Sequence, residues 1–574
     1  MIKVIFNILN KKETIAISIL FLLILFSSFI ELLGIGILYP FLSIMFDGDI
    51  VNNQYYKKYF FKYNLSRDLI INFSLIFIFF IYIIKNAIVF FTKWSIQTFA
   101  RKIRVRMFKD VMTKYLYIPY EESLKITTEN TLKKINFAMD FSSTIIHFLT
   151  LTTETLVLLL LIIFLSVVNI KITLIVISFF SILFFIIYFS SKKKLNHFGE
   201  RSIIHYQKLS KHLFQSIGGI KEIKILGKQK FFLDKIFKIQ ILDSLFKFKT
   251  NIMLQVPSHV IEVASITFIL SIIFYLTKLD FNNVQIISIL GIYVISFSRL
   301  IPSSTRILSA VQNIKYSYPF MKMLEVELKN INNVYSSNKN PILKKNKKKI
   351  NFTNDIFLKN ISFHYKGNKN YVLNKLNLRI KSGNLVGIYG KSGCGKSTLS
   401  EIIVGLLKPK TGGVYIDNVN INEDLKSWQN KIGVVTQKPY FLNDTIDNNI
   451  TFGLNKNNLN NKNINQIIKQ TQLLEFINKL PKKMNTFIGE RGISLSGGQL
   501  QRIAIARALY SGSELLIFDE ASNALDIKNE NSIIQLINRL KRKITIIIIS
   551  HKTSNFKFCD ELYNLKNGKL SKNV

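Results

Sequence analysis

The sequence predicts a chain in two parts, a helical membrane domain followed by a soluble α/β domain, on three observations. Six long apolar runs fill the residues before 310, and none of that length follows. Beyond residue 352 the apolar runs shrink to strand length, at 385–389, 515–518 and 544–549, each bounded by polar or glycine-rich sequence. The third is a conflict of signs: 77 Lys+Arg against 35 Asp+Glu give a formal net charge of +42, yet 48% of the residues are hydrophobic and the mean hydropathy is +0.24. Charge and apolar mass must therefore be segregated along the chain. A wholly soluble protein this basic reads as a nucleic-acid binder, whereas a chain with 47 Phe needs somewhere to put its apolar surface. The two cysteines, Cys394 and Cys559, cannot build a disulfide framework, and disordered, collagenous and secreted miniprotein classes are excluded.

Residues 14–46 run apolar with one acidic residue, Glu31, and exceed the about 20 residues a helix needs to cross a bilayer. Comparable runs follow at 69–94, 141–168, 170–188, 254–279 and 284–308, giving six spans. Asn169 and Lys171 are the break that marks a hairpin between the third and fourth. An even count puts both termini on one side. Arg101, Lys102, Arg104, Arg106 and Lys109 follow the second span, and Lys192, Lys193 and Lys194 follow the fourth, so those loops and both termini are expected in the cytoplasm. The outward segment 47–67 carries Lys57, Lys58, Lys62 and Arg67 among Tyr55, Tyr56, Tyr59, Phe60 and Tyr63 at helical spacing. It reads either as an amphipathic helix on the outer membrane surface or as a solvated loop.

These features divide the chain into a membrane domain at 1–335, a basic linker at 336–352 and a C-terminal domain at 353–574. Lys344, Lys345, Lys347, Lys348 and Lys349 lie just inside the membrane, where a polybasic run attracts anionic membrane lipids, so no nucleic-acid partner is expected.

The chemistry lies in the C-terminal domain. The strand-like 385–389 leads into Gly390, Lys391, Ser392, Gly393, Cys394, Gly395, Lys396, Ser397 and Thr398, and then into a helix-like run at 399–407. That is a P-loop in the required strand-loop-helix setting. Its glycines let backbone N–H groups curl around phosphate oxygens, Lys396 neutralises the β- and γ-phosphates of ATP, and the Ser397 hydroxyl suits Mg²⁺. A second strand, 515–518, ends in Asp519 and Glu520. Asp519 suits the Mg²⁺ shell and Glu520 the base that polarises an attacking water.

Between these motifs stands Leu495-Ser496-Gly497-Gly498-Gln499, which resembles the LSGGQ signature of the ABC ATPase family. The resemblance implies further site residues: Tyr365 as the aromatic that stacks on adenine, Gln437 as the Q-loop glutamine that senses Mg²⁺ and the γ-phosphate, Asp526 as the D-loop aspartate and His551 as the switch histidine. On its own His551 reads as a surface histidine; its place after a strand and beyond Glu520 reverses that. Asn523 and Lys552 depart from the commonest residues at their positions, and neither removes a group that touches phosphate.

Six spans followed by one such domain resemble an ABC exporter half-transporter. In that family, nucleotide sits between the P-loop of one chain and the signature of the other, which implies a homodimer with two competent sites. The segments 114–122 and 216–227 take the positions of the family's coupling helices, the alternative being plain helical extensions.

The transported compound is read from ionisable groups in the spans: Glu31, Lys85, Glu154, His259, Glu262, Arg299 and Arg306. Arg299 and Arg306 lie seven residues apart, on one face of the sixth span apart from any kink at Pro302. With Lys85 they suit a lipid-linked anionic substrate bearing phosphate or pyrophosphate; for Arg306 the alternative is snorkelling to the interface. The stretches 28–41 and 298–306 resemble the PglK-type flippases, which move a polyprenyl-pyrophosphate-linked oligosaccharide across the bacterial inner membrane for protein N-glycosylation. Where those carry a further arginine in the fifth span, this chain has Ser258-His259. The alternative is a lipid A, drug or peptide exporter of the same architecture.

Overall fold

The computed structural model describes residues 2–38, 41, 67–276, 283–337, 350–453, 461–489, 495–521, 527–552 and 556–573. The expected outer-surface segment 47–67, most of the basic linker, Asn523 and Asp526 fall outside them, apart from the start of a helix at Arg67. The chain forms two compact units, Met1–Ile118 with Ile126–Lys339, and Pro119–Lys125 with Asn340–Val574.

The first unit is helical: α1 (Ile2–Ile8), α2 (Lys11–Gly36), α3 (Arg67–Tyr117), and, after the short α4 (Tyr120–Ser123), α5 (Thr128–Val168), α6 (Ile170–Gly218), α7 (Ile220–Ile225), α8 (Gln229–Leu276) and α9 (Asn283–Ser337). The 51 residues of α3 make a rod of about 75 Å, more than twice the about 30 Å of a bilayer's apolar core. The long helices thus continue far beyond the expected spans. Among the described residues five helices, α2, α3, α5, α6 and α8, are long and apolar enough to cross a membrane. The sixth expected span, 284–308, begins in α9, where side chains up to residue 290 are outside the described set.

Asn169 makes the hairpin between α5 and α6. Its backbone leaves the helical region at φ −155° and ψ 106°, and its side-chain oxygen accepts from the Ile172 N–H at 3.2 Å, capping α6. Within the unit α5 is central, packing against α2, α3 and α9. One apolar cluster runs from Ile5 and Ile24 through Ile103 and Ile145 to Met321, and a second joins Leu161, Leu165, Val176, Phe297 and Leu300.

The second unit contains two sheets. An antiparallel sheet in the order β2-β1-β4-β5 is built from β1 (Asp355–Phe363), β2 (Leu373–Lys381), β4 (Thr411–Ile416) and β5 (Val419–Asn420). The other, in the order β10-β9-β3-β8-β7-β6, comprises β3 (Leu385–Tyr389), β6 (Ile432–Thr436), β7 (Leu515–Asp519), β8 (Thr545–Ser550), β9 (Glu561–Lys566) and β10 (Lys569–Asn573). Strands β9, β3, β8, β7 and β6 are parallel, and β8 is buried at every residue, as a strand covered on both faces must be. Helices of this unit include α10 (Lys396–Ile403), α11 (Leu425–Gln429), α12 (Ile446–Thr451), α13 (Asn461–Gln470), α14 (Leu474–Asn478), α15 (Gly497–Tyr510) and α16 (Ile527–Leu540).

Helix α4, inside the segment expected to hold the first coupling helix, clusters with this second unit. The Tyr120 hydroxyl donates to Glu401 Oε1 on α10 at 3.2 Å, and the Lys366 N–H donates to Glu121 Oε1 at 3.0 Å. The other expected coupling segment contains α7, a separate short helix with Ile223 buried.

Candidate functional site

Strand register brings the site together. Tyr389 pairs with Ser550, Ile549 with Asp519, and Asp519 with Thr436, so β3, β8, β7 and β6 end at one level. The P-loop, His551, Glu520 and Gln437 each leave from that level, at the carboxyl edge where open parallel sheets bind ligands.

The loop after β3 depends on its glycines. Gly393 and Gly395 sit at φ +80° and +103°, in the left-handed region that side chains disfavour. A Cβ at Gly390 would collide with the Leu565 carbonyl and lie 2.8 Å from Cys394 Sγ. Lys396, the first residue of α10, is buried, and its ammonium donates to the carbonyls of Gly390 at 2.9 Å and Lys391 at 3.1 Å. A buried ammonium folded back onto the carbonyls of its own glycine-rich loop, at the N-terminus of a helix, is an arrangement that suits phosphate. The Tyr365 hydroxyl lies 3.0 Å from Thr398 Oγ1, and its ring meets Phe363 edge-on, which places the expected adenine-stacking residue beside α10.

Asp519 hydrogen-bonds the Ser397 hydroxyl, and its Oδ1 is buried without a hydrogen-bond partner among the described residues. Burial pushes its carboxyl above the usual range; the Ser397 bond opposes this, Glu520 adds to it and Lys396 counters it. An orphaned carboxylate oxygen beside a hydroxyl is the oxygen donor set that Mg²⁺ takes, so Ser397 and Asp519 fit the ion as its protein ligands. Bound there, Mg²⁺ would neutralise charge on the nucleotide's phosphates.

Glu520 adopts φ +54°, a conformation uncommon for a side chain with a Cβ, fixed by its N–H donating to the Ile549 carbonyl at 2.9 Å. Its Oε1 lies 3.7 Å from Lys396 Nζ and 3.9 Å from His551 Nδ1. The carboxylate thus stands between the cation expected to bind phosphate and the expected switch histidine, the position a base that polarises water would take.

The signature is a helix cap. Ser496 is the N-cap of α15: its hydroxyl accepts from the Gln499 N–H at 3.4 Å, and Gln499 Oε1 accepts from the Ser496 N–H at 3.0 Å. The Ser and Gln of the motif hold each other and present the positive end of the helix, with exposed Gly497 adding no side chain over it. A Cβ at Gly498 would meet the Asn529 side chain at 2.8 Å.

Sequence reasoning missed several residues that support this site. Buried Gln501, in α15, donates to the carbonyls of Thr436 and of Gln437, tying the Q-loop to the signature helix. Arg507 on the same helix donates to the carbonyls of Asn449 and Tyr440 and lies over the rings of Phe441 and Phe452. Glu401, bound by Tyr120, is a third; burial raises its carboxyl, the Tyr120 bond lowers it and Asp519 raises it again. Only Gln501, two residues beyond the signature, carried a positional signal.

In the first unit the membrane candidates separate. Glu31, Glu154, Arg299 and Arg306 converge: Arg299 Nη2 lies 2.8 Å from Glu31 Oε2 and 3.4 Å from Glu154 Oε2, and Arg306 Nη1 lies 2.6 Å from Glu154 Oε1. Lys85 runs beside Gly34, where a Cβ would come within 2.8 Å of its Cδ, and its ammonium lies over the Tyr82 ring. His259 and Glu262 stay outside this group as an exposed pair on α8, 4.0 Å apart. The arginines expected to await an anion are already in contact with carboxylates.

Comparison with known proteins agrees with this architecture. Residues 17–301 match the family profile described as ABC transporter transmembrane region, and residues 373–523 the one described as ABC transporter. An ATP-dependent lipid A-core flippase of Idiomarina loihiensis is 38% identical over 196 residues, 34% of each chain, so the match spans about a third of that relative's length. A lipid A-core flippase of Wigglesworthia glossinidia brevipalpis is 29% identical over 409 residues, covering 66% of this chain and 63% of its own. A solved bacterial Atm1-family ABC exporter with ATP bound shares the fold, with a TM-score of 0.75 and 17% identity, covering 98% of this chain and 94% of that one. With both family domains in order on one chain, the protein belongs to the ABC transporters, and its fold is that of their exporters.

Proposed function

We propose that the chain is an ATP-driven flippase for a lipid bearing an anionic phosphate headgroup, and that it works as a homodimer in a bacterial inner membrane with its ATP-binding domain in the cytoplasm. The observation that carries the reading is the placement of three cations, Arg299, Arg306 and Lys85, in membrane helices against two carboxylates, Glu31 and Glu154, so that one positive charge is in excess there. A guanidinium pair matches phosphate oxygens bidentately. The substrate favoured is a polyprenyl-pyrophosphate-linked oligosaccharide, moved from the cytoplasmic to the outer leaflet for protein glycosylation. Hydrolysis proceeds with Glu520 orienting water, Lys396 on the phosphates, and Ser397, Asp519 and Gln437 on the Mg²⁺ side. Asp526 and His551 complete the shared sites, and Tyr365 takes the adenine.

A second reading is lipid A, favoured by relatives bearing that name, one of which aligns with 66% of this chain. The test is hydrolysis by the purified protein in vesicles doped with lipid-linked oligosaccharide, lipid A or cationic drugs in parallel. Stimulation by the oligosaccharide lipid alone supports the first reading and by lipid A alone the second. Stimulation by drugs alone contradicts both.

A further inference from the structure

Four charges meet on three helices of the first unit, and they cancel. Glu31 on α2 and Glu154 on α5 supply two carboxylates, and Arg299 and Arg306 on α9 supply two guanidiniums. Glu154 is the hub. One oxygen takes Arg306 at 2.6 Å; the other takes Arg299 at 3.4 Å and the Ser303 hydroxyl at 2.8 Å. The four differ in access: the side chains of Glu154, Glu31 and Arg299 are 5%, 11% and 17% exposed, and that of Arg306 is 42% exposed.

This arrangement answers a physical problem. Two unpaired guanidiniums among membrane helices would be strongly unfavourable, whereas a neutral quartet is tolerable. The same pairing obstructs an incoming anion, which must compete with the internal carboxylates. Competition is easiest at Arg306, the most exposed member, which spends one N–H on Glu154 among the described residues and has others to offer. If its Arg306 contact is broken, Glu154 keeps Ser303 and Arg299 as partners and is not left as a bare buried charge.

We propose that Glu154 is a built-in counter-anion, which the phosphate of a lipid headgroup displaces from Arg306 on binding and which retakes Arg306 to expel that phosphate. The inference rests on the headgroup reading above. It adds that the site is tuned for exchange: Glu154 weakens the hold on the phosphate and keeps the two arginines paired in the emptied site. Lys85, without an ion pair among the described residues, is the charge left over to attract the anion.

The test uses full-length protein in phosphatidylcholine vesicles, with hydrolysis recorded against added undecaprenyl pyrophosphate, lipid A, or undecaprenol, which lacks phosphate. For wild type, stimulation by the first, the second or both identifies the phosphate source, and undecaprenol is inert. Glu154→Gln lowers the half-maximal concentration of the phosphate lipid about tenfold, by removing one charged competitor, and slows maximal turnover because the phosphate is no longer expelled. Glu154→Asp, which keeps the charge on a shorter stem, shifts it less in the same direction and serves if the Gln variant does not assemble. Arg306→Leu raises the half-maximal concentration instead. A Glu154→Gln curve identical to wild type, with Arg306→Leu still shifted, overturns the counter-anion while sparing the headgroup reading. No shift from Arg306→Leu or Arg299→Leu overturns both, leaving the quartet a structural tie between helices.

Discussion

Gln501 fixes the backbone at Gln437. Its side-chain amide donates to the Thr436 carbonyl at 3.3 Å and to the Gln437 carbonyl at 3.1 Å, so the residue expected to sense Mg²⁺ and the γ-phosphate is anchored through its own main chain to α15. A change at the nucleotide can then reach the signature helix, and the reverse. Gln501→Leu removes both donors and leaves the two carbonyls without this partner. Turnover is predicted to fall about tenfold and the Mg²⁺ concentration for half-maximal hydrolysis to rise, with Mg²⁺-free nucleotide binding little changed. Titrating Mg²⁺ against hydrolysis checks it, since general loss of stability would lower turnover without moving the Mg²⁺ requirement.

Glu520→Gln keeps the shape of the residue and its backbone bond to Ile549 while removing the proposed base. Hydrolysis is expected to fall by about 10²–10⁴-fold with ATP affinity retained, whereas Lys396→Ala should weaken binding itself. Equilibrium binding and steady-state hydrolysis on the same preparations separate the two. Near-wild-type turnover in Glu520→Gln would remove Glu520 from its assigned role.

Asp519 gives a prediction of opposite sign for stability and activity. Burial raises its folded-state pKa, so between the ordinary carboxylate range and that raised value the folded chain holds a proton that the unfolded chain has lost. Stability from this group is therefore present at low pH and lost as pH rises through that window. Asp519→Asn removes the burden, so the thermal midpoint measured at pH 7 without Mg²⁺ should rise. Mg²⁺-dependent hydrolysis should fall at least about 100-fold.

The shared-site expectation is tested by mixing chains that carry only Lys396→Ala with chains that carry only Ser496→Arg. In a shared-site dimer each mixed pair keeps one unmutated P-loop opposite one unmutated signature, so hydrolysis exceeds that of either parent. Purifying pairs through two different tags and assaying them decides it. Activity no higher than the parents would place both elements of a site in one chain.

The parts of the molecule that were legible in the sequence are those whose physics is local. The P-loop needs glycines, a lysine and a strand within 14 residues, 385–398, and Asn169 announces a hairpin because one residue caps the helix that follows. What stayed hidden depends on residues far apart. Glu31 and Arg299 are separated by 268 positions and Tyr120 and Glu401 by 281, and neither pair has a spacing that composition or periodicity can detect. All four members of the quartet stand out in the sequence as ionisable groups within apolar runs. It was folding that showed two of them to be counter-ions of the other two.

If ATP hydrolysis drives a phosphate-headed lipid through this membrane domain, proteoliposomes holding the protein will move a fluorescent lipid-linked oligosaccharide between leaflets. Hydrolysis is recorded on the same vesicles. Wild type is predicted to move the lipid only with ATP and Mg²⁺, and the combined Lys85→Leu and Arg299→Leu variant to move at least about tenfold fewer lipids per ATP hydrolysed. Arg299→Lys should lose less, keeping the charge while giving up the guanidinium's paired donors. Lipid movement per ATP unchanged in the combined variant would contradict the account and favour an exporter of uncharged or cationic compounds.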